Sequence, residues 1–158
     1  MHSHYFDVTK CDNRYGIGNR VSITFSGCKY NCDDCFNHKI CDYRYGIPYI
    51  THSIETEINM ALEEDDIQGL SIICSYSGLM EHNIDDIHHL VWNVKEYRNN
   101  KDIHLWMCNG SAKEIIWKAE VYHKYKYILE NIDYLTFVDE NGQKIWHRND
   151  GKWEIYEE

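Results

Sequence analysis

The chain of 158 residues is 43% hydrophobic, 14% aromatic and 27% charged, which excludes wholesale disorder and fits a single domain, residues 1–158, with a core that needs no staples. Sixteen basic residues against 26 acidic ones give a formal charge of −10, which excludes phosphate-backbone binding as the main task, because such binding rests on clustered Lys and Arg. No apolar run is long enough for a membrane span and Met1-His2-Ser3-His4 lacks the apolar core of a signal peptide, so a soluble, cytoplasmic protein is expected.

Strand and helix patterns then alternate along the chain. Arg20-Val21-Ser22-Ile23-Thr24-Phe25 alternates and is β-branched, which predicts a strand. Thr51 is expected to cap a helix reaching about Glu64, with Ile54, Ile58, Ala61 and Leu62 on its apolar side. Leu70 to Ile73 predicts a second strand, and a loop is expected from Cys74 to about Asn83. Ile84, Ile87, Val91 and Val94 recur at helical spacing, with Asp85, Asp86, Lys95 and Glu96 on the wet side. Ile103 to Met107 predicts a third strand, and Ser111-Ala112-Lys113-Glu114 has the form of a capping box opening an aromatic-rich helix. Tyr134 to Val138 predicts a fourth strand, and Ile145 to Tyr156 a hairpin turning at Asn149-Asp150-Gly151. This order implies an α/β protein with a parallel sheet and crossover helices, whose chemistry gathers beyond the C-terminal ends of the strands.

Seven cysteines stand at 11, 28, 32, 35, 41, 74 and 108. Their number is odd and no export signal accompanies them, so a disulfide framework is not expected. Three fall in Ser26-Gly27-Cys28-Lys29-Tyr30-Asn31-Cys32-Asp33-Asp34-Cys35-Phe36-Asn37, with the spacing Cys-x3-Cys-x2-Cys, directly after the first predicted strand. Thiolate is the usual ligand of iron–sulfur clusters, and three thiolates on one loop can hold three irons of a [4Fe–4S] cubane. The fourth iron then has no protein ligand and suits the amine and carboxylate of S-adenosylmethionine (SAM). A structural zinc site, with His38 or Cys41 completing a tetrahedron, is the competing reading, although zinc sites generally use two paired ligand knuckles and only one is visible here. Buried thiols without metal suit three cysteines of a polar loop least.

The run from Asp12 to Cys28, in which the Gly-rich Tyr15-Gly16-Ile17-Gly18 precedes a strand leading into Gly27-Cys28, resembles the lead-in segment of radical SAM activating enzymes. With Cys32, Cys35 and the following Phe36-Asn37, the chain is similar to the activating proteins of anaerobic (class III) ribonucleotide reductase. The likeness is dense over residues 12–45 and poor in the last third. The resemblance implies a shortened radical SAM partial (β/α) barrel with a curved, mainly parallel sheet and a C-terminal hairpin. It implies a [4Fe–4S] cluster on Cys28, Cys32 and Cys35, which hold it and deliver the electron, and SAM as the second cofactor. SAM would lie against the backbone of Asp34, Cys35 and Phe36, and Ser75 and Tyr76 would meet its methionyl amino group. The implied reaction is reductive cleavage of SAM to generate a glycyl radical on the large subunit of anaerobic ribonucleotide reductase, with the electron coming from a flavodoxin-like donor.

Two departures from that family stand out. Where it carries Gly-Gly-Asp/Glu-Pro, this chain reads Cys74-Ser75-Tyr76-Ser77-Gly78, with no carboxylate, and Cys108-Asn109-Gly110 replaces a Thr-Gly turn. They keep two alternatives in view: a radical SAM enzyme with another substrate, or a metal-stabilised adaptor that has lost SAM cleavage. Elsewhere, His2 and His4 read as tail residues, His88-His89 as a helix surface, Tyr122, Tyr125 and Tyr127 as core or partner contacts, and Glu63-Glu64-Asp65-Asp66 as a solvated helix end. Trp146 and Trp153 read equally as sheet cover or docking surface. No Ser-His-Asp signature and no Gly-rich phosphate loop ending in Lys-Ser/Thr is present.

Overall fold

The computed structural model describes residues 3–28, 38–108, 123–139 and 142–156. In chain order the elements are β1 (His4–Asp12), β2 (Arg20–Phe25), a 3-10 turn (His38–Cys41), β3 (Ile47–Pro48), α1 (Thr51–Leu62) and β4 (Gly69–Cys74). They continue with a short helix α2 (Tyr76–Gly78), a π-helical turn (Leu79–Asn83), α3 (Ile84–Tyr97), β5 (Asp102–Met107), α4 (His123–Asn131), β6 (Tyr134–Asp139), β7 (Gly142–Asn149) and β8 (Lys152–Ile155). The eight strands form one sheet in the order β3-β1-β2-β4-β5-β6-β7-β8, open and curved. Its centre, β2-β4-β5-β6, is parallel, and both flanks are antiparallel.

The alternation within the central strands decides the layering. Ile23, Ile72, Leu105 and Leu135 lie in register, as do Val21, Leu70 and Ile103. These rows are buried against Ile54, Ile58 and Leu62 of α1, Leu90 and Val94 of α3, and Ile128 of α4. The described crossover helices therefore sit on one face, where the apolar rows exclude water. The opposite face carries Ser22, Ser71, His104 and Tyr134 in one row and Thr24, Ile73, Trp106 and Thr136 in the next. A parallel sheet covered by helices on both sides would be apolar on both; this one is polar and aromatic on the side opposite α1, α3 and α4.

The loop between β1 and β2 folds across that polar face. Its Tyr15 carbonyl accepts from Ser71 Oγ at 2.5 Å and its Ile17 carbonyl from Arg20 at 2.9 Å. Arg20 is fully buried, and its guanidinium also reaches Ser71 Oγ at 2.7 Å, the Leu70 carbonyl at 3.0 Å and the Asp102 carboxylate. Gly16, at φ +134°, lies so close over His104 and Arg20 that a Cβ would stand 2.8 Å from His104 Nδ1, so a side chain has no room there.

The strands expected from Arg20, Leu70, Ile103 and Tyr134 are all present, as is the hairpin. Its two-residue turn, Asp150-Gly151, has φ of +52° and +79° and joins Asn149 to Lys152, the geometry that matches strand twist. Thr51 opens α1 as expected but does not cap it; the N-cap is Ile50, with no side-chain bond. The segment after Cys74 is helical rather than a loop, because Ser75 caps a turn that runs through the π-helical stretch into α3. His4 is no tail residue: it begins β1 and pairs with Pro48 of β3. Neither β1 nor β3 carries a periodic signal, and Pro48 fits the sheet because it stands on an edge strand, where a missing N–H is tolerated. The start of the aromatic helix at Ser111, together with Tyr122, lies outside the described residues, while Tyr125 of α4 is core.

Candidate functional site

The segment Ser26-Gly27-Cys28 leaves β2 at its C-terminal end and is clamped from four directions. Ser26 donates its N–H to the His4 carbonyl at 2.9 Å and its hydroxyl to the Tyr45 carbonyl at 2.7 Å, while Asn83, fully buried, donates to the Ser26 carbonyl at 3.0 Å. Gly27 and Cys28 donate their N–H groups to the carbonyls of Ile40 and Cys41 at 2.8 and 3.0 Å. Gly27 has φ +117°, so the sharp entry into the cysteine loop needs a residue without a Cβ.

The helical turn after β4 closes the other wall. Ser75 Oγ accepts from the Gly78 N–H at 2.8 Å and donates to the Gly27 carbonyl at 2.6 Å, so one hydroxyl caps the helix and ties it to the cysteine segment. Ser77 Oγ lies 3.4 Å from Ser75 Oγ and donates to Cys28 Sγ at 3.9 Å. Gly78 packs directly on Gly27, where any Cβ would collide with the carbonyl oxygen. His82 of the π-helical turn stacks on Tyr43 at 4.1 Å between ring centres, which fixes the chain returning from the cysteine loop.

Between these walls lies a cavity of about 240 Å³, lined by Thr24, Gly27, Cys28, Cys41, Cys74 and Cys108 together with Ile40, Ile73 and Ser75. Thr24 and Ile73 belong to the polar-side rows of the sheet, so the cavity opens on the face opposite α1, α3 and α4, at the tips of β2, β4 and β5. Four of the seven cysteines meet there. Burial pushes the Cys74 thiol well above the ordinary thiol range, and nearby Cys108 adds to the effect. Cys74 is thus a neutral, core-type thiol.

Of the site residues expected from the sequence, Cys28 and Ser75 border the cavity. Cys32, Cys35, Asp34 and Phe36 lie outside the described residues. Tyr76 turns its ring into the core, edge-on to Tyr125 at 6.4 Å between centres, which leaves its backbone as the part that can meet a ligand. Ser77, Gly78 and Asn83 are the residues that sequence reasoning undervalued. The spacing Ser75-x-x-Gly78 is the one available signal for the capping turn. The donor set, thiols around a mostly aliphatic hollow with a hydroxyl directed at one sulfur, fits an iron–sulfur cluster, since such clusters are held by thiolates and tuned by hydrogen bonds to sulfur. Among the described residues no three His, Cys, Asp or Glu side chains form a complete metal site.

A cysteine at a strand tip beside a thiol-lined hollow suits an iron–sulfur class of protein, and the chain belongs to the 4Fe–4S single cluster domain family, whose model matches residues 15–154. It is similar to the anaerobic ribonucleoside-triphosphate reductase-activating protein of Enterobacteria phage T4, with 28% identity over 156 residues, 94% of this chain and 97% of that protein. It is similar also to the protein of the same name from Escherichia coli (strain K12), with 31% identity over 93 residues, 58% of this chain and 59% of that protein. No solved structure matches the chain. No described helix is long and apolar enough to cross a membrane.

Proposed function

We propose that the protein is a radical SAM activating enzyme: it reductively cleaves SAM and places a glycyl radical on the large subunit of an anaerobic ribonucleotide reductase. The observation that carries this reading is Cys28, half-buried on the rim of a thiol-lined cavity at the tips of three parallel strands, in a chain similar over 94% of its length to a reductase-activating protein. Cys28, Cys32 and Cys35 would hold a [4Fe–4S] cluster, which when bound supplies one electron to the sulfonium of SAM. The sheet would then be the shortened form of the radical SAM partial barrel, with the polar face opposite α1, α3 and α4 as its inner surface.

The residues of this chain have three tasks in that reading. The clamp on Ser26–Cys28 fixes the first ligand before any cofactor binds, and Ser77 lowers the charge density on its sulfur. The walls formed by Ile40 and Ile73 keep water from the reacting centre. Carbonyls of the Ser75–Ser77 turn, with Asp34 to Phe36, would meet the methionyl and adenine ends of SAM. An external one-electron donor of flavodoxin type and a cytoplasmic setting complete the proposal.

Anaerobic reconstitution, addition of dithionite and SAM, and quantification of 5′-deoxyadenosine test the cleavage. A glycyl-radical EPR doublet that appears only with the reductase tests the target. One observation favours a second reading, an adaptor without SAM cleavage: the hydroxyl of Ser75 is committed at both its donor and its acceptor side, and no carboxylate stands in this turn. An intact cluster that yields no 5′-deoxyadenosine would establish that reading instead.

A further inference from the structure

The cavity holds more thiols than the three-cysteine loop requires, and one of them is tied to Cys28 through the backbone. The Cys28 N–H donates to the Cys41 carbonyl at 3.0 Å, next to the Gly27–Ile40 bond at 2.8 Å, so the backbone of Cys28 is docked on the end of the 3-10 turn that carries Cys41. Cys28 and Cys41 border the same hollow, and both are half-buried. The other two thiols are worse placed. Cys74 is 1% exposed and packs with the core. Cys108 stands at the tip of β5, two strands from β2 and thus about 10 Å sideways.

We infer that Cys41 is a fourth thiolate ligand, which caps the iron left open by Cys28, Cys32 and Cys35 until SAM displaces it. The inference rests on the iron–sulfur reading of the loop. In the exchange one iron–sulfur bond to Cys41 breaks, its thiolate takes a proton from solvent, and the amine and carboxylate of SAM take its place; no electron moves. Without SAM, an open iron would face a hollow with little to hold it. With Cys41 in place the resting cluster has four thiolates, the ligation that suits a stable [4Fe–4S] centre.

The test compares anaerobically reconstituted wild-type protein with Cys41→Ser and, as a control from the same cavity, Cys108→Ser. Each is oxidised with ferricyanide, and iron content and the [3Fe–4S] EPR signal are measured with and without SAM. The expected result is that wild type and Cys108→Ser keep all their iron, whereas Cys41→Ser loses about a quarter of it and develops the three-iron signal. Equal loss in wild type and Cys41→Ser overturns the inference, and so does sensitivity confined to Cys108→Ser. A preparation with no iron or sulfide overturns the cluster reading itself, a separate result. Circular dichroism of Cys41→Ser, expected unchanged, separates ligand loss from misfolding.

Discussion

At the residue scale the site depends on atoms that approach too closely for substitution. Gly78 touches the Gly27 carbonyl oxygen and, in a helical conformation, stands close to Ser75 Oγ. A methyl group there must push backbone against backbone, so Gly78→Ala is expected to cost about 1–3 kcal/mol in urea unfolding and to lower the iron retained per folded chain. Ser75→Ala removes a cap and the bond to Gly27 together, and about 1 kcal/mol or more should be lost. His104 makes a prediction in pH. It is fully buried, its Nε2 pairs with Thr136 Oγ1 at 2.7 Å, and burial, with the Arg20 charge adding to it, lowers its pKa from 6.5 to about 3. The unfolded chain therefore binds a proton that the folded chain refuses between those values. Stability is full above pH 6.5 and falls as pH falls through that window, by up to about 1.4 kcal/mol per pH unit. In His104→Leu the dependence of the melting temperature on pH between 6.5 and 4.5 should flatten; an unchanged slope would contradict the neutral assignment. His88, lowered mainly by burial, adds a smaller slope of the same sign that survives the substitution.

At the element scale two devices hold the strands and helices in place. Arg20 of β2 and Asp102 of β5 pair across the start of β4, where a side chain at Gly69 would collide with the Asp102 carbonyl. Removing the acid leaves a fully buried guanidinium with only neutral partners, so Asp102→Ala is expected to cost about 3 kcal/mol or more. Because this pair sits at the opposite end of the strands from the cysteines, iron content per folded chain should stay at the wild-type value. The second device joins helix to helix. Glu55 of α1, 3% exposed, accepts from Tyr49 at 2.6 Å and pairs with His89 of α3 at 2.8 Å. His88 instead lies beside Tyr127 of α4, so adjacent histidines serve different neighbours, as their helical positions require. Trp146 stacks on Phe137 and packs with Trp153 against the core, which makes both tryptophans sheet cover.

At the scale of the whole molecule, the sheet is asymmetric by design of its strands. One face is sealed by α1, α3 and α4, and the other presents Ser, Thr, His, Tyr and Trp rows that end at the cavity. Under the proposed function a large partner would complete the site over this face. Cys32→Ala should abolish the brown colour and labile sulfide of an anoxic preparation while leaving the apo fold intact, as followed by circular dichroism; retained cluster would remove Cys32 from the ligand set.

The residue order alone determined the parallel centre, since alternating and helical periods are local properties of β2, α1, β4, α3, β5 and β6, and it placed Cys28 at a strand tip. It also marked the Asp150-Gly151 turn, whose residues tolerate left-handed backbone. Only the folded chain decided what β1 and β3 do, because an edge strand draws its pairing from a neighbour and needs no period of its own. The order of strands and helices also put Cys74 and Cys108 at the strand tips near Cys28, because parallel strands bring their ends to one edge, whereas Cys41, on a 3-10 turn, joins them only through the folded chain. The capping role of Ser75 was likewise hidden, since a hydroxyl that bonds Gly78 and Gly27 at once depends on a carbonyl 48 positions away.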